Sequence, residues 1–188
     1  LTTRTFVGYA LTSSFMFAAL FSYISGSPFV FIERYGISPR LYGVVFGGMV
    51  IFMTIGSLFN ARFVRLLGAG RILRVAVIVP AVSGAAAMVM GWIEARYGTI
   101  GLWPFLVCMV FQIATLSLIA PNSTAMAMQH YPHMAGTASS LMGVMTFGAG
   151  AIFGAIVGLT FDSTIAPMTT AMGIAGILCL ISHRTLVR

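Results

Sequence analysis

The 188-residue sequence predicts an all-α integral membrane protein with six transmembrane helices, on three observations. Hydrophobic residues make up 59% of the chain and charged residues only 7%, whereas soluble domains carry about a quarter charged residues. Six runs without internal charges approach the ~20 residues that a helix needs to cross ~30 Å of hydrocarbon. The ten basic residues, all arginine, stand between these runs or at the chain ends. One arginine or carboxylate at mid-bilayer costs roughly 2.5–3.5 kcal/mol, so their exclusion has physical weight.

The first run, residues 5–32, puts Ser14, Ala18, Phe21, Ser22, Ser25 and Phe29 on one helical face. Aromatic surface mixed with hydroxyls suits an uncharged or aromatic ligand. The second run, 41–61, carries Gly43, Gly47 and Gly48, a smooth patch that lets another helix approach closely. It leads into a predicted loop with Asn60, Arg62, Arg65, Arg71 and Arg74. The third run is 75–92. The fourth, 101–120, aligns Cys108, Gln112 and Thr115 with Asn122 just beyond it. Large amides at depth are costly unpaired, which favours a polar cavity for Gln112 and Asn122. The fifth run, 138–161, holds a Gly150, Gly154 and Gly158 ladder, and the sixth is 165–182. A second reading stands beside these faces: hydroxyls and amides bonding helix to helix, worth ~0.6–2 kcal/mol each, and glycines packing within the bundle.

The connections alternate in charge. Arg4, Arg62, Arg65, Arg71, Arg74, Arg184 and Arg188 fall on one side with no acid, while Arg34, Arg40 and Arg96 share the other with Glu33, Glu94 and Asp162. Arginine-rich loops stay cytoplasmic, and an even number of spans then puts both termini inside. Glu94 and Asp162 read as ordinary outer-loop charges.

Other function classes find little footing. The arginines do not form the contiguous basic face of a nucleic-acid binder. Cys108 and Cys179 lie in apolar runs with no CxxC or Cys/His cluster. His130 and His133 form an H-x-x-H with no further ligand nearby, and no metal or cofactor is expected. An intramembrane serine protease would need a histidine at depth near Ser83-Gly84, and no H-E-x-x-H is present. Arginine at every third place, the mark of a voltage sensor, is missing from every run. The chain is not read as an enzyme. A six-helix assembly subunit without transport activity stays as the alternative.

Shifted by 93 residues, the chain meets its own punctuation: Gly8 on Gly101, Pro28 on Pro121, Pro39 on Pro132 and Gly43 on Gly136. Proline and glycine set bends, so matching them matches backbone shape. The unit has three spans, and an odd-numbered unit repeated in tandem enters the membrane from opposite sides. Two inverted three-helix repeats make one six-helix half of a major facilitator fold. The chain starts at Leu1 with no signal-peptide pattern, and is expected to be one bundle over residues 1–188 lacking an N-terminal half.

Three landmarks narrow the resemblance. Ser27-Pro28-Phe29-Val30 through Tyr35-Gly36-Ile37-Ser38-Pro39 resembles the first helix junction in the C-terminal half of Bcr/CflA-type drug exporters. So do Asn60-Ala61-Arg62 with Arg65, Gly68 and Arg71, and Pro121-Asn122-Ser123-Thr124-Ala125 followed by Pro132-His133 and Ala135-Gly136-Thr137-Ala138-Ser139-Ser140. Bcr/CflA proteins are proton-driven exporters of the bacterial inner membrane, with substrates such as bicyclomycin and chloramphenicol. The resemblance implies a drug/proton antiporter whose partners are lipid, a second six-helix half, a small amphiphilic drug and protons, without nucleic acid. It implies a substrate cavity lined by the first and fourth helices, hence by Phe21, Ser22, Ser25, Phe29, Gln112, Thr115 and Asn122. It implies that the second and fifth helices meet the other half, through Gly43, Gly47, Gly150, Gly154 and Gly158. The superfamily's loop signature Gly-x-x-x-Asp-Arg-x-Gly-Arg-Arg is altered: Gly56 is followed by Asn60 in place of the acid, and arginine enters only at Arg62. Asn60, Arg62, Arg65 and Arg71 are therefore read either as a gate or simply as cytoplasmic anchors. No Asp, Glu or His falls inside a predicted run, so a proton-coupling carboxylate is expected from the other half.

Overall fold

A computed structural model describes residues 3–98, 100–129 and 131–187. Leu1, His130 and Arg188 lie outside them. All regular structure among the described residues is helical: α1 (Arg4–Pro28), α2 (Pro39–Leu67), α3 (Ala69–Ala76), α4 (Ile78–Tyr97), α5 (Leu102–Met128), α6 (Ala135–Leu159) and α7 (Ala166–Leu186). With α3 and α4 counted as one rod, six are long and apolar enough to cross a membrane.

The helix boundaries follow from local chemistry. Pro28 has no N–H to give the carbonyl of Ile24, and after it the helix widens into a π-helical stretch, Phe29–Arg34. Tyr35 N–H closes on Val30 O at 3.0 Å. Gly36, at φ +64°, then takes the left-handed turn. Ser38 caps α2 by accepting from Leu41 N–H at 3.4 Å, with Pro39 in the first helical turn. Val77 interrupts the third rod, three residues ahead of Pro80, which cannot donate to Ala76.

Helices overrun the predicted spans, chiefly at the arginine-rich end. Helix α2 continues to Leu67 and α5 to Met128, α3 starts at Ala69, and α7 extends to Leu186. Hydropathy stops where arginine begins, but helical hydrogen bonding does not. The 29 residues of α2 rise about 43 Å, more than the ~30 Å hydrocarbon core. The loop expected to carry Asn60, Arg62 and Arg65 is therefore corrected: all three ride on α2, and Arg71 stands on α3. The connection itself is Gly68, at φ +79°.

The packed pairs arrange the rods in two rows. In front, α2 packs on α5, α5 on α1 and α1 on α6; behind them α4 packs on α7, with α4 on α5 and α7 on α1. The pattern survives exchange of the repeats. Helix α1 packs on the second and third rods of the later repeat, and α5 on those of the earlier one. Pro28 and Pro121 both lie near the end of a first rod, and Pro39 and Pro132 both start a second one. The end rods α2 and α6 are the least buried of the six.

Behind, α4 and α7 approach so closely that glycine is required at the crossing. A Cβ on Gly173 would stand 2.8 Å from Gly84 O, and one on Gly176 would strike Pro80 O.

Candidate functional site

The front row narrows at one end and opens at the other. At the arginine-rich end α6 reaches α5, and Ala138 and Met142 are buried with Leu116 and Ile119. Farther along, Ala151, Ala155 and Leu159 are exposed, and a shallow groove of about 560 Å³ runs between α1 and α6. Phe21, Ile24 and Ser25 form one wall; Ala151, Gly154, Ala155, Gly158 and Leu159 form the other.

Small residues on α6 make the room and aromatic rings edge it. Phe17 and Phe21 both meet Phe147 edge-on, with centroids 5.8 and 6.3 Å apart. Beyond the groove, Phe29 tilts over Phe161 at 4.8 Å. One hydroxyl joins this surface: Ser25 donates to Gly154 O at 2.9 Å. An apolar trough with the Phe21 ring in its wall and few polar groups suits a compact aromatic or amphiphilic molecule.

Of the residues expected in a cavity, Phe21 and Ser25 line this groove, while Phe29 lies outside its lining, packed on Phe161. Ser22 is fully buried and donates to Ala18 O at 2.8 Å. Thr115 is buried and bonds back to Phe111 O.

Gln112 is a correction. It is 1% exposed, donates to Met172 O on α7 at 3.0 Å and accepts from Ser83 on α4 at 3.0 Å. Its amide is satisfied behind α5, away from the open face. Asn122 is corrected likewise: it is 3% exposed and donates to Asn60 Oδ1 at 2.6 Å and to Leu118 O at 2.7 Å, joining α5 to α2. Asn60 is thus a helix-to-helix ligature. Arg62, Arg65 and Arg71 are exposed.

The glycines divide. Gly43 and Gly47 have nothing within 4 Å of an added Cβ, so their side of α2 is open among the described residues. The ladder on α6 is already occupied: a Cβ on Gly150 would meet the Phe21 ring at 2.9 Å, Gly154 faces the Phe21 backbone, and Gly158 faces Ser25. Gly150 and Gly154 are thus packed against α1 within the bundle, while Gly158 stays exposed beside Ser25.

Glu94 is not an ordinary loop charge. It is 3% exposed, paired with Arg34, and accepts from Ile165 N–H at 3.3 Å. The carboxylate pins the ends of α1 and α4 to the start of α7. Asp162 does stay exposed and caps its own turn, accepting from Thr164. Phe147 and Phe161 cannot be picked out in sequence, because an aromatic residue in a greasy run looks like any lipid-facing one. The α4–α7 glycines, spread over two rods, form no ladder.

Comparison with known proteins bears on this arrangement. The family model described as "Major Facilitator Superfamily" matches residues 1–155. A "Bicyclomycin resistance protein homolog" of Haemophilus influenzae is 31% identical over 177 residues, covering 94% of this chain and 43% of the relative. An "Uncharacterized MFS-type transporter YdgK" of Bacillus subtilis is 30% identical over 175 residues, covering 93% of this chain and 42% of the relative. The chain thus spans less than half the length of both curated relatives. No solved structure gives a significant match.

Proposed function

The chain belongs to the major facilitator superfamily, and on that premise we propose that it is the C-terminal six-helix half of a proton-driven drug exporter in a bacterial inner membrane. The observation that carries this reading is the apolar groove between α1 and α6, lined by Phe21 and Ser25, with Phe147 packed edge-on against Phe21. The name of the Haemophilus relative speaks of bicyclomycin resistance, which supports a small amphiphilic drug as cargo. The free glycine patch at Gly43 and Gly47 suits a sliding contact with the other half during alternating access. Glu94 is engaged by Arg34, while Glu33 and Asp162 are exposed at the helix ends. The coupling carboxylate is accordingly assigned to the other half.

The test is drug accumulation in cells that express the intact transporter. Phe21→Ala and Phe147→Ala should each weaken apparent drug affinity about tenfold, as loss of ~1.4 kcal/mol of aromatic contact implies, at unchanged protein abundance. Wild-type export by both variants for every drug tested would remove the groove from the site. Drug-dependent proton flux by this chain alone in liposomes would overturn the assignment of the carboxylate.

A further inference from the structure

At the arginine-rich end, remote from the groove, a second cavity of about 430 Å³ lies between rods. Tyr9 of α1, Arg74 of α3, Met126 of α5, and His183 and Arg184 of α7 line it. His183 is 4% exposed, and its Nδ1 is sealed off without a hydrogen-bond partner among the described residues. Its ring leans on Tyr9, with centroids 6.2 Å apart. Gly70 completes the wall and leaves it open, since an added Cβ there would meet nothing closer than Met126 at 3.8 Å.

Among the described residues no carboxylate lines this cavity. Two guanidiniums, an imidazole and a phenol surround it, and the chain's three acids, Glu33, Glu94 and Asp162, belong to the opposite end of the rods. Arg4, which donates to Thr185 O at 2.5 Å, adds positive charge beside it. Arg74 and Arg184 are exposed at the mouth, while the His183 imidazole behind them is buried, and buried polar groups in native proteins have partners. Guanidiniums present paired donors that match phosphate oxygens, and basic pockets between membrane helices on the cytoplasmic side take anionic headgroups.

We propose that this cavity is a phosphate-binding site, held by Arg74 and Arg184 with Tyr9 and His183 as its inner wall. Its occupant is the phosphodiester of an anionic lipid headgroup or a soluble phosphate. The site stands on its own geometry, separate from the groove and from the drug-export reading.

The test places the full chain in nanodiscs of phosphatidylcholine, with or without phosphatidylglycerol, and separately adds inorganic phosphate to the phosphatidylcholine discs. Retained lipid is counted by native mass spectrometry and the thermal unfolding midpoint is followed. Phosphatidylglycerol should be retained and should raise the midpoint, and the double variant R74Q/R184Q should hold it about 30-fold less tightly, at about 1 kcal/mol per arginine. The control R62Q/R65Q removes the same charge from α2, outside the cavity lining, and should keep the lipid. The milder R74K/R184K retains both charges and should fold, holding lipid between the two. A midpoint raised by inorganic phosphate without lipid, and lost in R74Q/R184Q, would identify the soluble source. No response to either probe in the unmodified chain, or equal loss in the control, would overturn the proposal.

Discussion

Gln112 illustrates how a single amide can be assigned to the wrong neighbour. A glutamine deep in an apolar run must find partners, and the sequence says so plainly; it does not say whether they come from a ligand or from other helices. Here they are Ser83 on α4 and the Met172 carbonyl on α7. Gln112→Ala should therefore lower thermal stability in detergent, by about 1 kcal/mol, while leaving drug affinity per folded molecule unchanged. A variant with unaltered stability and altered drug affinity would reverse that assignment. Ser25 is the opposite case: the stripe Phe21, Ser25 and Phe29 is legible at helical spacing, and Phe21 and Ser25 line the groove while Phe29 packs on Phe161. Phe147 is not legible, because nothing in its side chain separates a ring packed on Phe17 and Phe21 from a lipid-facing one. Glu94 hides for another reason. Its burial depends on Arg34, 60 residues away in the chain. Removing Arg34 alone leaves a buried carboxylate without its counterion, whereas replacing both partners by apolar groups of similar size can be nearly neutral. Arg34→Met should thus destabilise more than the double replacement Arg34→Met with Glu94→Met, measured by thermal unfolding. The opposite order would mean that the pair adds nothing beyond its separate members.

Among elements, the rods are readable in sequence and their pairings are not. Length and hydropathy define six spans, since water and lipid sort residues along one axis, but which rod meets which depends on small residues scattered over distant segments. The α6 ladder of Gly150, Gly154 and Gly158 looks like an external contact, yet α1 fills it through Phe21 and Ser25. The glycines of α4 and α7 show no ladder, yet they support the close crossing of the rods behind. A bulky side chain at the two kinds of site should act differently. Gly176→Val drives carbon into the Pro80 carbonyl, so it should separate α7 from α4 and cost about 1–3 kcal/mol or more, the range of overpacking. Gly47→Leu projects into open space in this chain, so its folding should be normal while transport by the intact protein falls. Folding yield by size-exclusion chromatography and transport in vesicles separate the two. Normal transport by Gly47→Leu would show that this patch faces lipid rather than a moving partner.

For the whole molecule, the strongest constraint is the segregation of charge between the two ends of the rods. Arg4, Arg62, Arg65, Arg71, Arg74 and Arg184 collect at one end without a carboxylate, while Glu33, Glu94 and Asp162 share the other with Arg34, Arg40 and Arg96. That asymmetry is fully legible in sequence, because a charge cannot settle inside hydrocarbon and every arginine must choose a side. The inverted repeat is legible too, through proline positions that reappear at matching points of the rods, Pro28 with Pro121 and Pro39 with Pro132. The inside-positive bias then predicts a bundle with both chain ends in the cytoplasm. In a background with Cys108 and Cys179 replaced by alanine, Arg71→Cys should react with a membrane-impermeant maleimide only after the membrane is opened. Asp162→Cys, at the exposed α6–α7 connection, should react in intact cells. Labelling of Arg71→Cys from outside would invert the bundle, and the arginine-lined cavity would then face the outer leaflet, where the anionic cytoplasmic surface that argues for a headgroup ligand does not exist.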